Sequence, residues 1–408
     1  MRTVTFITLG CRLNQAEEAM FAGAFAARGW NVSFEGAADV VVLHSCAVTR
    51  TAERSTLQSL RALKRDVPTD RLPLAVVTGC AAAALPEEEL RRAGADLVVV
   101  RGDQGHLCDL VEDFIARGGR PAPLEDDVRV GSFPSAAAAP VLPSCLPHEP
   151  PPSGRPLAAA PADPLFRHSR ALLKVQDGCD FRCSYCIVPL TRGRAVSLTF
   201  DDAVAAARRL VGRGFGEIVL TGCNLACYRS GGRDLPDLVS AIAEAAAPAS
   251  ATVSLGSVEP GICDARLTEA FLSHANVRRF LHLPVQSGDS NVLALAGRRY
   301  DGDEIRETLL RYRSALPGLR LGGDFITGLP GEDEAAFRRT CDLVREVGFD
   351  ALHVFPFSPR QGTAAATAGH PPREVARERA ARLRALALPD TNPADPAGQG
   401  SGPLAPFT

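Results

Sequence analysis

Residues 171–194 read ALLKVQDGCDFRCSYCIVPLTRGR. The apolar run Ala171–Gln176 has the length and composition of a strand. Cys179, Cys183 and Cys186 follow it in a CxxxCxxC spacing. If this strand opens a barrel, the cysteines occupy a loop at the C-terminal face, where barrel enzymes keep their active sites. Three thiolates this close can hold three irons of a 4Fe–4S cluster. No fourth cysteine follows in register, so one iron stays open to another ligand. Structural zinc and spare thiols are the competing readings.

Downstream, strand-like runs recur at Glu217–Gly222, Thr252–Glu259, Arg279–Gln286, Leu319–Thr327 and Ala351–Phe357. Helical patterns separate them, notably Asp201–Arg213, Leu235–Ala247, Asp303–Ala315 and Asp333–Val347. The alternation predicts right-handed βαβ units and parallel strands. Six such units in about 190 residues fall short of the ~250 that a closed eight-unit barrel needs. A partial (β/α)6 TIM-like barrel is the expected fold. An Arg-rich amphipathic helix at Pro372–Leu388 follows, and the tail from Pro389 reads as disordered.

Upstream, Gly118 to Asp163 is dense in Pro and Ala and has little apolar periodicity. Repeated proline removes backbone donors, so this stretch reads as a linker; Cys145 lies in it, with no ligand role expected. Before it, strands at Thr3–Gly10, Asp39–Cys46, Leu74–Cys80 and Leu97–Val100 alternate with helices near Asn14–Arg28, Arg50–Arg65, Pro86–Arg92 and Leu107–Arg117. This is the pattern of an α/β, doubly wound parallel sheet. The organisation expected is therefore an N-terminal domain at 1–118, a linker at 119–165, a barrel core at 166–388 and a tail at 389–408. Cys11, Cys46 and Cys80 each end one of the first three strands. In a doubly wound sheet those loops converge at the carboxyl edge, the usual ligand edge. Three buried cysteines acting as small hydrophobes are one alternative. A zinc site is another, with His44 the one further ligand in view. A second 4Fe–4S cluster with one open iron is the sharper reading.

Composition agrees with a globular, reducing-compartment protein. Apolar residues make up 46% and charged residues 23%, which excludes global disorder. No apolar run is long enough to span a membrane, and the N-terminus has no signal-peptide layout, so a cytoplasmic location is expected. In that setting twelve cysteines point to metal binding or catalysis rather than disulfides. The formal net charge of -2 does not indicate wholesale polyanion binding. Lys64 and Lys174 are the two lysines; the rest of the positive charge is arginine.

The CxxxCxxC with an aromatic before its last cysteine resembles the radical S-adenosylmethionine superfamily. The two cysteine constellations together resemble the methylthiotransferase family of radical enzymes. The likeness covers nearly all of residues 1–370, with LGCRLNQAEEAM, HSCAVTRTAERST, VVTGCAA, LTGCNL, SVEP, HLPVQSGDSNVL, GGDFITGLPGE and HVFPFSPRQGT in family order. The first two segments look most like the subfamily acting on N6-threonylcarbamoyladenosine in tRNA.

The resemblance implies two 4Fe–4S clusters and S-adenosylmethionine as cofactors. It places the radical cluster on Cys179, Cys183 and Cys186, and an auxiliary, sulfur-supplying cluster on Cys11, Cys46 and Cys80. It implies cleavage of S-adenosylmethionine to a 5′-deoxyadenosyl radical, hydrogen abstraction from C2 of adenine and uptake of a methylthio group. The protein then positions the cofactor and excludes water. The resemblance puts Tyr185 beside the adenine of S-adenosylmethionine, Gly222 near the methionine amino group, and Glu259, Gln286 and Asp324 facing the cofactor. Tyr185 as plain packing and Gly222 as a plain turn are the alternatives. Arg192 and Arg194 are suited to a carboxylate or phosphate, or to a solvated loop. Cys223 and Cys227 depart from the family pattern and read as incidental thiols, with a third metal site the alternative. Cys108, Cys263 and Cys341 read as packing residues.

The partners implied are a tRNA anticodon loop, a low-potential electron donor and a sulfur donor whose nature the sequence does not give. Relatives end in a small RNA-binding barrel called TRAM. No alternating strand pattern follows Pro389, so RNA contact is expected from Arg373–Arg384, from Arg50–Arg65 or from a partner. Two other functions stay open: the same chemistry on isopentenyladenosine or a ribosomal-protein side chain, and a non-catalytic paralogue that binds RNA or iron–sulfur clusters.

Overall fold

The computed structural model describes residues 1–65, 67–119, 157 and 162–388. They divide into two compact units. Most of the Pro-rich segment, with Cys145, and the whole tail fall outside the described residues.

The first unit holds five parallel strands: β1 (Thr3–Thr8), β2 (Asn31–Ser33), β3 (Val40–Ser45), β4 (Leu74–Gly79) and β5 (Leu97–Val99). Their order is β2-β1-β3-β4-β5, so the winding reverses beside β1 and β3. The helices are α1 (Arg12–Ala27), α2 (Arg50–Lys64), α3 (Cys80–Ala84), α4 (Glu87–Arg92) and α5 (Leu107–Ala116). Alternate strand residues point to opposite faces. Val4, Phe6, Val40, Val42 and Val76 pack with Phe25 of α1 and Leu107 and Val111 of α5. Leu43, Ala75 and Val77 pack with Leu57 and Leu60 of α2 and Leu90 of α4. Both faces are thus covered, which is why β3 and β4 read as unbroken apolar runs. Two features were not expected. The edge strand β2 has no apolar run to announce it. Cys80 does not end β4 but opens α3.

The second unit contains β6 (Arg170–Lys174), β7 (Gln176–Asp177), β8 (Val196–Ser197), β9 (Glu217–Thr221), β10 (Thr252–Leu255), β11 (Phe280–Gln286), β12 (Arg320–Thr327) and β13 (Ala351–Pro356). β6, β9 and β10 pair in parallel, as do β11, β12 and β13. Parallel bridges Val253–Val277 and Ser257–His282 join the two groups. The result is six parallel strands ordered β6-β9-β10-β11-β12-β13, with no pairing of β6 to β13 among the described residues. α7 (Phe200–Gly212), α8 (Leu235–Ala246), α9 (Ala265–Ser273), α11 (Gly302–Ala315) and α12 (Glu334–Val347) connect them, with α6 (Val188–Arg192) and α10 (Ser290–Leu295) shorter insertions. α7, α9 and α12 start where a short polar side chain caps the first turn: Thr199 accepts from Asp202 N, Asp264 from Leu267 N and Asp333 from Ala336 N. This is the expected partial barrel. The last helix, α13 (Arg373–Arg384), turns part of its charge inward: Arg379 is buried on Glu332, and Arg382 meets Glu334.

Candidate functional site

In the first unit, Cys11, Cys46 and Cys80 follow β1, β3 and β4. Cys46 and Cys80 are buried and Cys11 is exposed. Burial pushes the Cys46 thiol up to about 12, and charge on Cys11 and Cys80 adds to the shift, so all three sulfurs share one electrostatic neighbourhood. Two glycines permit this approach. Gly10 has φ +128°, and a Cβ there would stand 2.9 Å from Cys46 Cβ. Gly79 has φ +94°, and a Cβ there would meet the Ser45 carbonyl oxygen at 2.4 Å. Only glycine adopts such backbone without strain. Asn14 ties the loops together, its amide donating to the carbonyls of Leu9 and Ser45 at 3.1 and 3.0 Å. Ser45 Oγ in turn accepts from Ala81 N and Ala82 N at the start of α3. His44, the one further zinc ligand considered, instead faces Glu17, with Nε2 3.1 Å from its carboxylate.

The segment Leu190–Arg194 also belongs to this unit, although its chain neighbours belong to the second. Arg192 is 4% exposed. It meets a carboxylate, as one sequence reading held: both terminal nitrogens donate to Glu17, and Nε donates to Cys80 Sγ at 3.1 Å.

In the second unit, Cys179, Cys183 and Cys186 follow β7. Burial pushes the thiols of Cys183 and Cys186 up, the latter to about 12, and charge on the neighbouring cysteines contributes to both. The loop is braced from below. Gln176 donates to the carbonyls of Asp177 and Gly178 and accepts from Asn224 N at 2.8 Å. Asn224 Nδ2 reaches Cys179 Sγ at 3.5 Å. Gly222 is small because Gln176 fills the space beside it: a Cβ would lie 2.8 Å from Gln176 Oε1.

Arg298, which sequence reasoning missed, organises the other side. It donates to Cys183 Sγ at 3.3 Å, to Glu259, to the Pro284 carbonyl at 2.9 Å and to Tyr300 Oη at 2.7 Å. Burial pushes the Glu259 carboxyl up, more than Arg298 draws it down. Glu259 lies beyond the end of β10, just before a turn at Pro260–Ile262. Tyr185 packs against an apolar cluster of Val292, Ala296, Leu329 and Phe357, with its hydroxyl 3.5 Å from Arg298.

Gln286 ends β11 at a register shift and has φ +73°. A non-glycine residue in that region marks strain, which clusters at functional sites. Asp324 lies mid-strand in β12, where His282 Nε2 approaches Oδ1 at 2.8 Å and His353 Nδ1 at 3.3 Å. Burial pushes its carboxyl up, but the two histidines outweigh this and hold it at about 2. Gly322 leaves room for this group, since a Cβ there would be 2.4 Å from His282 Nδ1. The histidines were missed because neither stands in a short-range motif.

Cys223 and Cys227, read as incidental, both touch this site. Cys223 Sγ reaches Asp177 at 3.3 Å. The Cys227 thiol is hydrogen-bonded to Cys179, which draws Cys227 down to about 7. Cys108, Cys263 and Cys341 are buried packing residues, as expected. Each cysteine triad offers three soft thiol donors, and that donor set suits an iron–sulfur cluster. No helix among the described residues is long and apolar enough to cross a membrane.

Residues 173–344 match the model of the Radical SAM superfamily, and residues 3–100 match that of the Uncharacterized protein family UPF0004. The threonylcarbamoyladenosine tRNA methylthiotransferase MtaB of Treponema pallidum is 34% identical, over 95% of this chain and 87% of its own. The MtaB of Bacillus subtilis is 31% identical, over 95% and 80%. The tRNA-2-methylthio-N(6)-dimethylallyladenosine synthase of Cereibacter sphaeroides is 35% identical, over 93% and 81%. Among solved structures, the radical S-adenosylmethionine methyltransferase TsrM of Kitasatospora setae superposes with a TM-score of 0.61, over 90% of this chain and 77% of its own, at 13% identity. That likeness concerns the fold alone.

Proposed function

Because this chain belongs to the radical S-adenosylmethionine methylthiotransferase family, and is therefore a transferase that uses 4Fe–4S clusters and S-adenosylmethionine, we propose that it adds a methylthio group to C2 of N6-threonylcarbamoyladenosine at position 37 of tRNA. The observation that carries the reading is the pair of cysteine triads, one at the strand ends of each unit. Cys179, Cys183 and Cys186 would hold the radical cluster; Cys11, Cys46 and Cys80 would hold the auxiliary one. When bound, the radical cluster with S-adenosylmethionine would supply a carbon-centred radical, which breaking an aromatic C–H bond requires because acid–base removal cannot do it, and the auxiliary cluster would supply the sulfur.

The remaining residues orient and shield. Arg298 offsets negative charge at Cys183 and holds Glu259 in place. Tyr185, Gly222, Glu259, Gln286 and Asp324 would line the S-adenosylmethionine pocket; the strained backbone of Gln286 and the histidine-held carboxylate of Asp324 support that placement. The target adenosine of the anticodon loop would enter as a splayed single-stranded base. A low-potential electron donor and a sulfur donor complete the cycle, in the cytoplasm.

Nucleoside mass spectrometry of total tRNA from a strain lacking this gene tests the reading. The expected result is loss of the 2-methylthio form with accumulation of N6-threonylcarbamoyladenosine. The dimethylallyladenosine synthase of Cereibacter sphaeroides is as similar as either MtaB, so a second reading is the isopentenyl nucleoside. It predicts that nucleoside's unthiolated form accumulates instead. An unchanged profile, with no redundant enzyme in the strain, would sink the tRNA assignment and favour a protein substrate.

A further inference from the structure

Arg192 completes the cysteine edge of the first unit. Its two terminal nitrogens grip the Glu17 carboxylate at 2.8 and 2.9 Å, and one of them also donates to Asn14 Oδ1 at 3.0 Å. Asn14 is the residue that ties the Cys11 and Cys46 loops together. Its Nε–H points at Cys80 Sγ from 3.1 Å.

Guanidinium and carboxylate are both nearly out of water, at 4% and 2% exposure. Desolvating such a pair costs several kcal/mol per ion, and well-packed apolar residues often fill the same space with no loss of stability. The pair is therefore a poor device for stability. It is a good device for fixing a donor: the bidentate grip locks the guanidinium plane, which leaves Nε no freedom but to face the sulfur.

We propose that Arg192 is a positioning residue for the auxiliary cluster, which raises its reduction potential and slows its loss through the hydrogen bond and positive charge at Cys80. The inference rests on the reading of Cys11, Cys46 and Cys80 as cluster ligands. Hydrogen bonds to the sulfurs and nearby charge set the potential of iron–sulfur centres. A cluster gains negative charge on reduction, so a cationic donor at a ligand sulfur favours the reduced form.

The test uses the full chain carrying C179A, C183A and C186A, reconstituted anaerobically so that only the auxiliary cluster forms. Iron and sulfide analysis, an EPR-monitored redox titration and the rate of iron loss to a chelator are then measured with and without R192Q and R192K. The expected result is a midpoint moved to more negative potential in R192Q, with several-fold faster iron loss. R192K keeps the charge but not the fork, so it recovers part of both. An intact cluster in R192Q with unchanged midpoint and unchanged iron loss overturns the inference. If circular dichroism shows R192Q unfolded, R192K alone decides: a parental midpoint overturns the inference and a lowered one supports it. If the triple-alanine parent binds no iron, the ligand assignment itself has failed, and the inference falls with it.

Discussion

Individual residues divide into those whose purpose was written in their spacing and those whose purpose lies across the fold. The cysteines are of the first kind. Arg298, Glu17, Asn14 and the two histidines at Asp324 are of the second. Each acts through a partner far away in sequence, as in Arg298 with Cys183 or Glu17 with Arg192, and long polar side chains carry no periodic signal of their destination. Cys227 is the instructive middle case. Its spacing from Cys223 was visible, but its contact with Cys179 was not. That contact gives a prediction. In the iron-free chain the hydrogen bond from Cys179 holds the Cys227 thiol at about 7, against an ordinary value near 8.5. The thiolate is the reactive form, so lowering this thiol makes Cys227 the more reactive. Iodoacetamide labelling followed by peptide mass spectrometry should find Cys227 alkylated faster than the buried Cys46. C179A should return it toward the ordinary rate. Equal rates with and without Cys179 would show that the contact does not activate the thiol.

At the scale of elements, the strands were legible because parallel strands covered on both faces are nearly all apolar, as Val40–Ser45 and Leu74–Gly79 are. Their ends were less so. Asn31–Ser33 pairs only at an edge and needs no apolar run. Glu259 was read as the end of a strand that stops at Leu255. Nor does composition reveal that β11 closes on a register shift with Gln286 at φ +73°. Backbone of this kind is held by its surroundings against its own preference. Replacing Gln286 therefore separates side chain from strain. Q286A and Q286G lose the same side-chain contacts, but only alanine keeps the Cβ that disfavours positive φ. Q286G should be more stable than Q286A by about 1 kcal/mol in urea denaturation, the reverse of their order at ordinary strand positions. Both should bind S-adenosylmethionine more weakly if this side chain faces the cofactor. Q286A at least as stable as Q286G would mean that the strand end relaxes to ordinary backbone in solution.

At the scale of the whole molecule, the chain has two bodies, each with its own core: one around Phe6, Phe25 and Val76 backed by Leu57 and Leu60, the other including Leu329, Phe357 and the barrel strands. Each body also carries one cysteine triad. Multidomain proteins with bound metal centres depart from two-state unfolding, and a group that binds only the folded state stabilises the body that holds it. The anaerobically reconstituted chain should therefore unfold in two calorimetric transitions. C11A/C46A/C80A should reduce the iron from about eight to about four per chain and lower only one transition. C179A/C183A/C186A should remove the other four and lower only the second. If either set of substitutions shifted both transitions equally, the two centres would stabilise a single cooperative unit. The barrel and the doubly wound sheet would then unfold as one, and the division seen in their cores would have no energetic counterpart.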